Sequence, residues 1–209
     1  MTDRIASFLL FFPIFLFSLS FHEYAHGWVA FRLGDSTAKF LGRLTMNPLR
    51  HIDWIGTFLF PLMMFLMPGL LLFGWAKPVP IDPRNIRGGR QGTLKVAAAG
   101  PVSNILLAVV IAGILHALVS LPPSKTLVII YEMLETGVYL NLMLATFNLI
   151  PLHPLDGGKV MEGILPARYL ASYDQIGRYG FLILFLLLYS GALKYLMIPV
   201  LSLARLLLP

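Results

Sequence analysis

Residues 6–27 read ASFLLFFPIFLFSLSFHEYAHG. From Ile5 to Phe21 no side chain carries a charge, so the run suits bilayer hydrocarbon, where charged groups are costly. It then meets His22, Glu23 and His26 without a break. Ionisable residues placed at that depth mark a functional site by default. The run has no small-residue cleavage site, so it reads as a retained helix and not as a signal peptide.

The rest of the chain has the same character. Of its 209 residues 57% are hydrophobic and 12% charged, and the mean hydropathy is +0.78. A soluble domain carries about 25% charged residues. Apolar stretches near or above spanning length fall at about 5–31, 54–74, 94–121, 134–151 and 179–208. These features predict an all-α polytopic membrane protein with about 4–5 transmembrane helices, a single membrane-embedded domain over residues 1–209. The net charge of +6 does not point to nucleic acid, because Lys and Arg cluster in the connections, where they set topology and meet anionic lipid. With no cysteine, any metal must be held by His and carboxylates.

Positions i and i+4 share one helix face, so His22 and His26 can present two imidazoles to one ion with Glu23 beside them. In H-E-x-x-H the histidines bind zinc and the glutamate serves as general base. Counted from Ile5, His22 lies about 26 Å along the helix, nearer one face of the bilayer than its middle. A catalytic zinc takes three protein ligands and keeps one position open. The third is to be sought among His51, His116, His153 and the few acidic residues. His51 sits in a polar loop and His116 is alone on an apolar helix. Asp156 stands out in FNLIPLHPLDGGKV, where Pro151 and Pro154 break the fourth apolar stretch and Gly157 and Gly158 permit a sharp turn. Helix breaks at membrane depth face protein or a wet cavity. His153 is the second candidate.

HEYAH on the first helix, AAAGPVSN opening the third apolar stretch and NLIPLHPLDGG ending the fourth together resemble the site-2 protease family of intramembrane zinc metalloproteases. The resemblance spans about residues 8–165, in the compact form without PDZ or CBS domains. It implies one zinc per chain on His22, His26 and Asp156, with Glu23 as catalytic base. It further implies that Asn148 stabilises the oxyanion and that Asn104 hydrogen-bonds the substrate backbone. The implied substrates are transmembrane segments of other proteins in the lipid bilayer. The segments AKFLGRLTM (38–46) and LFGWAKPVPI (72–81) read as strand-like pieces, a β-hairpin-like element near the zinc site able to hold an unwound substrate by strand addition. A rival reading, a metal or proton transporter using the same cluster, fits less well: only one broken helix carries a ligand, and a glutamate beside the metal suits a base.

Topology follows from the ligands. His26 and Asp156 lie near the C-terminal ends of their apolar stretches, so those helices share an ion most simply when parallel. That requires an odd number of crossings between them. The stretch 54–74, interrupted by Pro61 and by Pro68–Gly69, is therefore expected to be re-entrant. With that assignment twelve of the sixteen Lys and Arg residues share the zinc side and three lie opposite, against nine and six if every stretch crosses. By the positive-inside rule the zinc side is cytoplasmic and the N-terminus outside, in a multi-pass protein of the cell membrane.

Overall fold

The computed structural model describes residues 2–67 and 74–209. Helix α1 runs over Thr2–Arg32. A short turn of helix, α2 (Thr37–Phe40), and a 3-10 turn at Pro48–Arg50 follow. A π-helical stretch, Trp54–Leu59, continues into α3 (Phe60–Leu66). After another 3-10 turn, Pro83–Asn85, come α4 (Gly89–Val119) and α5 (Lys125–Asn148). The chain ends in α6 (Asp156–Ile164), α7 (Ala167–Gly177), α8 (Gly180–Tyr189) and α9 (Leu193–Leu207).

Three helices are long and apolar enough to cross a bilayer: Arg4–Arg32, Gly89–Val119 and Lys125–Asn148. A fourth span is available if α8 and α9, bent by 76° at their junction, count as one. Among the described residues the candidate spans therefore number three or four, beside the 4–5 expected from the sequence. The three long helices form the core. Ile14, Leu19, Leu107, Ile111, Leu115 and Val138 are buried between them, while Leu106, Val110 and Ile129 point outward, 49–59% exposed. An apolar exterior of this kind matches lipid rather than water.

Contacts fix the helix directions. Asn104 on α4 bonds to His22 and Val96 to His26, so α4 runs antiparallel to α1. Ser18 bonds to Asn141 and Ile14 packs on Gly137, so α5 runs parallel to α1. At Gly137 a Cβ would sit 2.9 Å from Ile14 Cγ1, and this absent side chain permits the close approach of α1 and α5.

Among the described residues of the 54–74 stretch the helical part is thirteen residues, Trp54–Leu66, about 20 Å long and short of the hydrocarbon thickness. It descends along α1 in the opposite sense: Phe58 meets Phe12 and Phe8, Phe65 meets Phe8, and the Arg4 side chain donates to the Leu66 carbonyl. By Trp75 the chain is back at its entrance, where the Trp75 N–H donates to Gly56 O at 3.1 Å and Thr57 Oγ1 donates to Trp75 O at 2.7 Å. Pro68–Gly69 lies outside the described residues.

The β-hairpin-like element is not formed; the described residues contain no strand. Residues 38–40 belong to α2, whose end is closed by Arg43 N–H and Leu44 N–H donating to Ala38 O. Residues 75–81 form neither helix nor strand, and Pro78 and Pro80 have no N–H to give a ladder. Two further donors are used elsewhere: Lys77 N–H on His51 O and Val79 N–H on Glu23 Oε2. Arg43 Nη2 takes up the carbonyls of Lys77 and Pro78.

Candidate metal centre

His22 and His26 sit one turn apart on α1, both less than 8% exposed. Each ring is held through Nδ1: His22 to Asn104 Oδ1 at 2.6 Å, His26 to the Val96 carbonyl at 2.7 Å, both on α4. With Nδ1 engaged, each Nε2 lone pair is left for the space between the rings. Asp156 closes that space, its Oδ2 3.1 Å from His22 Nε2 and 3.2 Å from His26 Nε2. The two Nε2 atoms are 3.0 Å apart.

Three ligand atoms on a tetrahedral ion with bonds of 2.0–2.1 Å lie about 3.3 Å from one another. The observed triangle is slightly tighter than that and needs only small outward movement. Two imidazoles and a carboxylate, with no thiolate, also suit a catalytic zinc. Among the described residues no other group of His, Asp and Glu converges in this way.

Asp156 reaches this point because α5 stops at Asn148 and the chain turns through Pro151 and Pro154 before α6 opens at Asp156 itself. A Cβ at Gly157 would collide with the carbonyls of Leu149 and Ile150, so the turn closes only with glycine there. From α7, Tyr173 Oη donates to Pro151 O at 2.9 Å and to Gly158 O at 3.3 Å, bracing the loop.

Glu23 is half-buried beside the pair, and its Oε2 accepts from Val79 N–H at 2.7 Å. A cavity of about 250 Å³ joins His22, Glu23, His26, Val79, Asn148 and Asp156. Asn148 lines it at the last residue of α5, with Nδ2 donating to Leu144 O one turn back. Asn104 is not on the cavity: it is 0% exposed, with Oδ1 on His22 and Nδ2 on Asn141 Oδ1. Both polar atoms of this side chain are thus engaged within the core.

The other histidines are accounted for. His153 pairs with Glu162 at 2.9 Å, His51 is buried with Nε2 on Thr45 O, and His116 bonds its own helix at Ala112 O. Sequence reasoning missed Gly100, which leaves room for the two rings, and Asn141, which backs Asn104. A polar Asn inside an apolar helix is the signal that could have marked Asn141 out.

A His-His-Asp site with a neighbouring carboxylate, set in an apolar bundle of spanning length, defines a membrane-embedded metallohydrolase. The sequence profile of Peptidase family M50 matches residues 117–189, which include Asn148 and Asp156. Over 191 residues the chain is 36% identical to a Bacillus subtilis (strain 168) protein named "Putative zinc metalloprotease YwhC", an overlap of 90% of this chain and 84% of that protein. It is 28% identical over 187 residues to "Putative zinc metalloprotease Rip2" of Mycolicibacterium smegmatis, covering 90% of this chain and 69% of that one. No solved structure matches it. The chain belongs to peptidase family M50, the site-2 protease family of zinc metalloproteases.

Proposed function

We propose that the chain is an intramembrane zinc endopeptidase that hydrolyses peptide bonds within or near transmembrane segments of other membrane proteins. The observation that carries this is the depth of the site. His22 and His26 lie inside the apolar candidate span Arg4–Arg32, about 15 and 9 Å from its Arg32 end, which supports a site that a peptide reaches at membrane depth.

His22, His26 and Asp156 would hold one zinc per chain, and the ion supplies Lewis acidity toward the scissile carbonyl and an activated water. Glu23 takes the proton from the attacking water and hands it to the leaving amine nitrogen. The Val79 N–H on Oε2 holds the carboxylate in place beside the pair. Asn148 serves the developing oxyanion once its Nδ2 turns from Leu144 O into the cavity. The parallel course of α1 and α5 and the return of the chain at Trp75 support the re-entrant assignment, with the site opening toward the cytoplasm and the N-terminus outside.

The test is co-expression with a reporter bearing one transmembrane segment, with products mapped by mass spectrometry. Native protein should cut within or beside that segment and Glu23→Gln should leave it whole. Cuts confined to soluble regions of the reporter would remove the intramembrane reading.

A further inference from the structure

Behind the site lies a closed chain of polar side chains in an otherwise apolar core. Ser18 on α1, Asn104 on α4 and Asn141 on α5 are each 0% exposed. Such groups are costly unless every donor and acceptor is matched. Their matching leaves only one orientation.

The chain is anchored at backbone carbonyls, which can only accept, and Asn104 Nδ2 itself reaches one of them, Ser18 O, at 3.4 Å. Ser18 Oγ donates to Ile14 O at 2.7 Å, and Asn141 Nδ2 donates to Gly137 O at 2.8 Å. The Asn141 amide is thereby turned with its NH2 toward Gly137 and Ser18 Oγ, the latter also at 2.8 Å. Its Oδ1 then faces Asn104 and accepts from Asn104 Nδ2 at 2.7 Å. That leaves Asn104 Oδ1 toward His22, where it accepts from Nδ1 at 2.6 Å. A ring protonated at Nδ1 has its lone pair on Nε2, the atom facing His26 and Asp156. Were Asn104 turned over, its NH2 would meet Nδ1, the ring proton would move to Nε2, and His22 could not ligate from that atom.

We propose that Asn141, which touches neither the metal cavity nor His22, is a positioning residue for the metal site: it locks the amide of Asn104, and through it the tautomer of His22. Ser18 supports it from the far side. This inference rests on the zinc-ligand reading above.

The test is a double-mutant cycle on zinc affinity, measured by chelator competition on the purified full chain in detergent. Asn141→Val removes the short acceptor of Asn104 Nδ2, leaves it only the Ser18 carbonyl at 3.4 Å and so loosens the amide; zinc binding should weaken about 10- to 100-fold. In an Asn104→Asp background the carboxylate only accepts and holds His22 Nδ1 protonated by itself. There Asn141→Val should cost less than about twofold, the non-additivity expected of coupled groups. Cobalt-substituted protein should show the same pattern in its ligand-field spectrum, distorted by Asn141→Val and restored in the double variant. Equal losses in both backgrounds, or native affinity in Asn141→Val, overturn the proposal. If Asn141→Val does not yield folded protein, Ser18→Ala enters the same cycle, with a smaller loss that again must vanish beside Asp at position 104. A native chain that binds no zinc overturns the zinc-ligand reading and this inference together. A native chain that binds zinc while the cycle shows simple additivity overturns this inference alone.

Discussion

One added methyl group should empty the metal site. Gly100 lies on α4 directly against the two rings, and a Cβ there would stand 2.5 Å from His22 Nε2 and closer still to His26 Nε2. Real Cβ contacts essentially never fall below 3.0 Å, so Gly100→Ala demands a retreat of about 0.5 Å or more. The rings cannot supply it freely, since their Nδ1 atoms are tied at 2.6 and 2.7 Å to Asn104 and Val96 of the same helix. Nor can α4 move away easily, because Ala108 and Ala112 are at most 3% exposed in its packed core. Metal bonds tolerate about 0.2 Å. Zinc affinity should therefore fall at least about 100-fold, while overpacking costs about 1–3 kcal/mol and leaves the chain folded. Gly113 on the same helix is the control: a Cβ there would meet nothing within 4 Å, so Gly113→Ala should bind zinc normally. The assay is zinc stoichiometry and chelator competition on purified protein with matched melting curves. Native affinity in Gly100→Ala, or an equal loss in Gly113→Ala, refutes the reasoning.

Other perturbations probe separate parts of the account. Asp156→Ala should leave a folded chain without tightly held zinc, and full occupancy in that variant would displace Asp156 as a ligand. Because the chain has no cysteine, single-cysteine labelling is clean: Ser36→Cys and Gly89→Cys should react from the cytoplasmic side and Ser124→Cys from the other, whereas opposite sides for the first two would end the re-entrant assignment. Asp35, 1% exposed, accepts from Thr37, Asp82 N–H and Asn85, and although burial raises its pKa these bonds outweigh it and hold the carboxyl below its ordinary value. Its stabilisation is therefore fully present above the unfolded value of about 3.9 and is lost as pH falls through the depressed folded value. Asp35→Asn should destabilise the native chain by about 1.5–3 kcal/mol at neutral pH, with the difference shrinking in acid, and a pH-independent difference in melting would contradict it.

Much of this site is legible in the sequence because its parts obey local rules. An apolar run ending in HEYAH is helix and ligand pair at once, since i and i+4 share a face whatever the tertiary packing. Asp156 stands out because Pro151, Pro154 and the two glycines after it can only be a break. Pro61, Pro68–Gly69 and the ligand geometry together are why the stretch 54–74 is expected to be re-entrant, and its helical Trp54–Leu66 part is thirteen residues long. What fails needs tertiary information. The segment 75–81 has strand-like residues, but its N–H groups are committed to Gly56, His51 and Glu23, partners 19 to 56 residues away. The placement of Asn104 behind His22 depends on how α4 crosses α1 and so is not legible in the sequence. Gly100 looks like one small residue in an alanine run, and only the position of the rings reveals what its missing side chain makes room for.

The central claim is that Glu23 and a zinc on His22, His26 and Asp156 cut peptide bonds at membrane depth. Its most direct test is cleavage of a single-span substrate by the purified chain in proteoliposomes, after chelation, after zinc is restored, and with Glu23→Gln in parallel. Cleavage should cease on chelation and return with zinc. Glu23→Gln should keep its zinc yet cut at least about 100-fold more slowly. Cleavage that persists without metal, or a zinc-loaded Glu23→Gln that cuts near the native rate, would contradict the account.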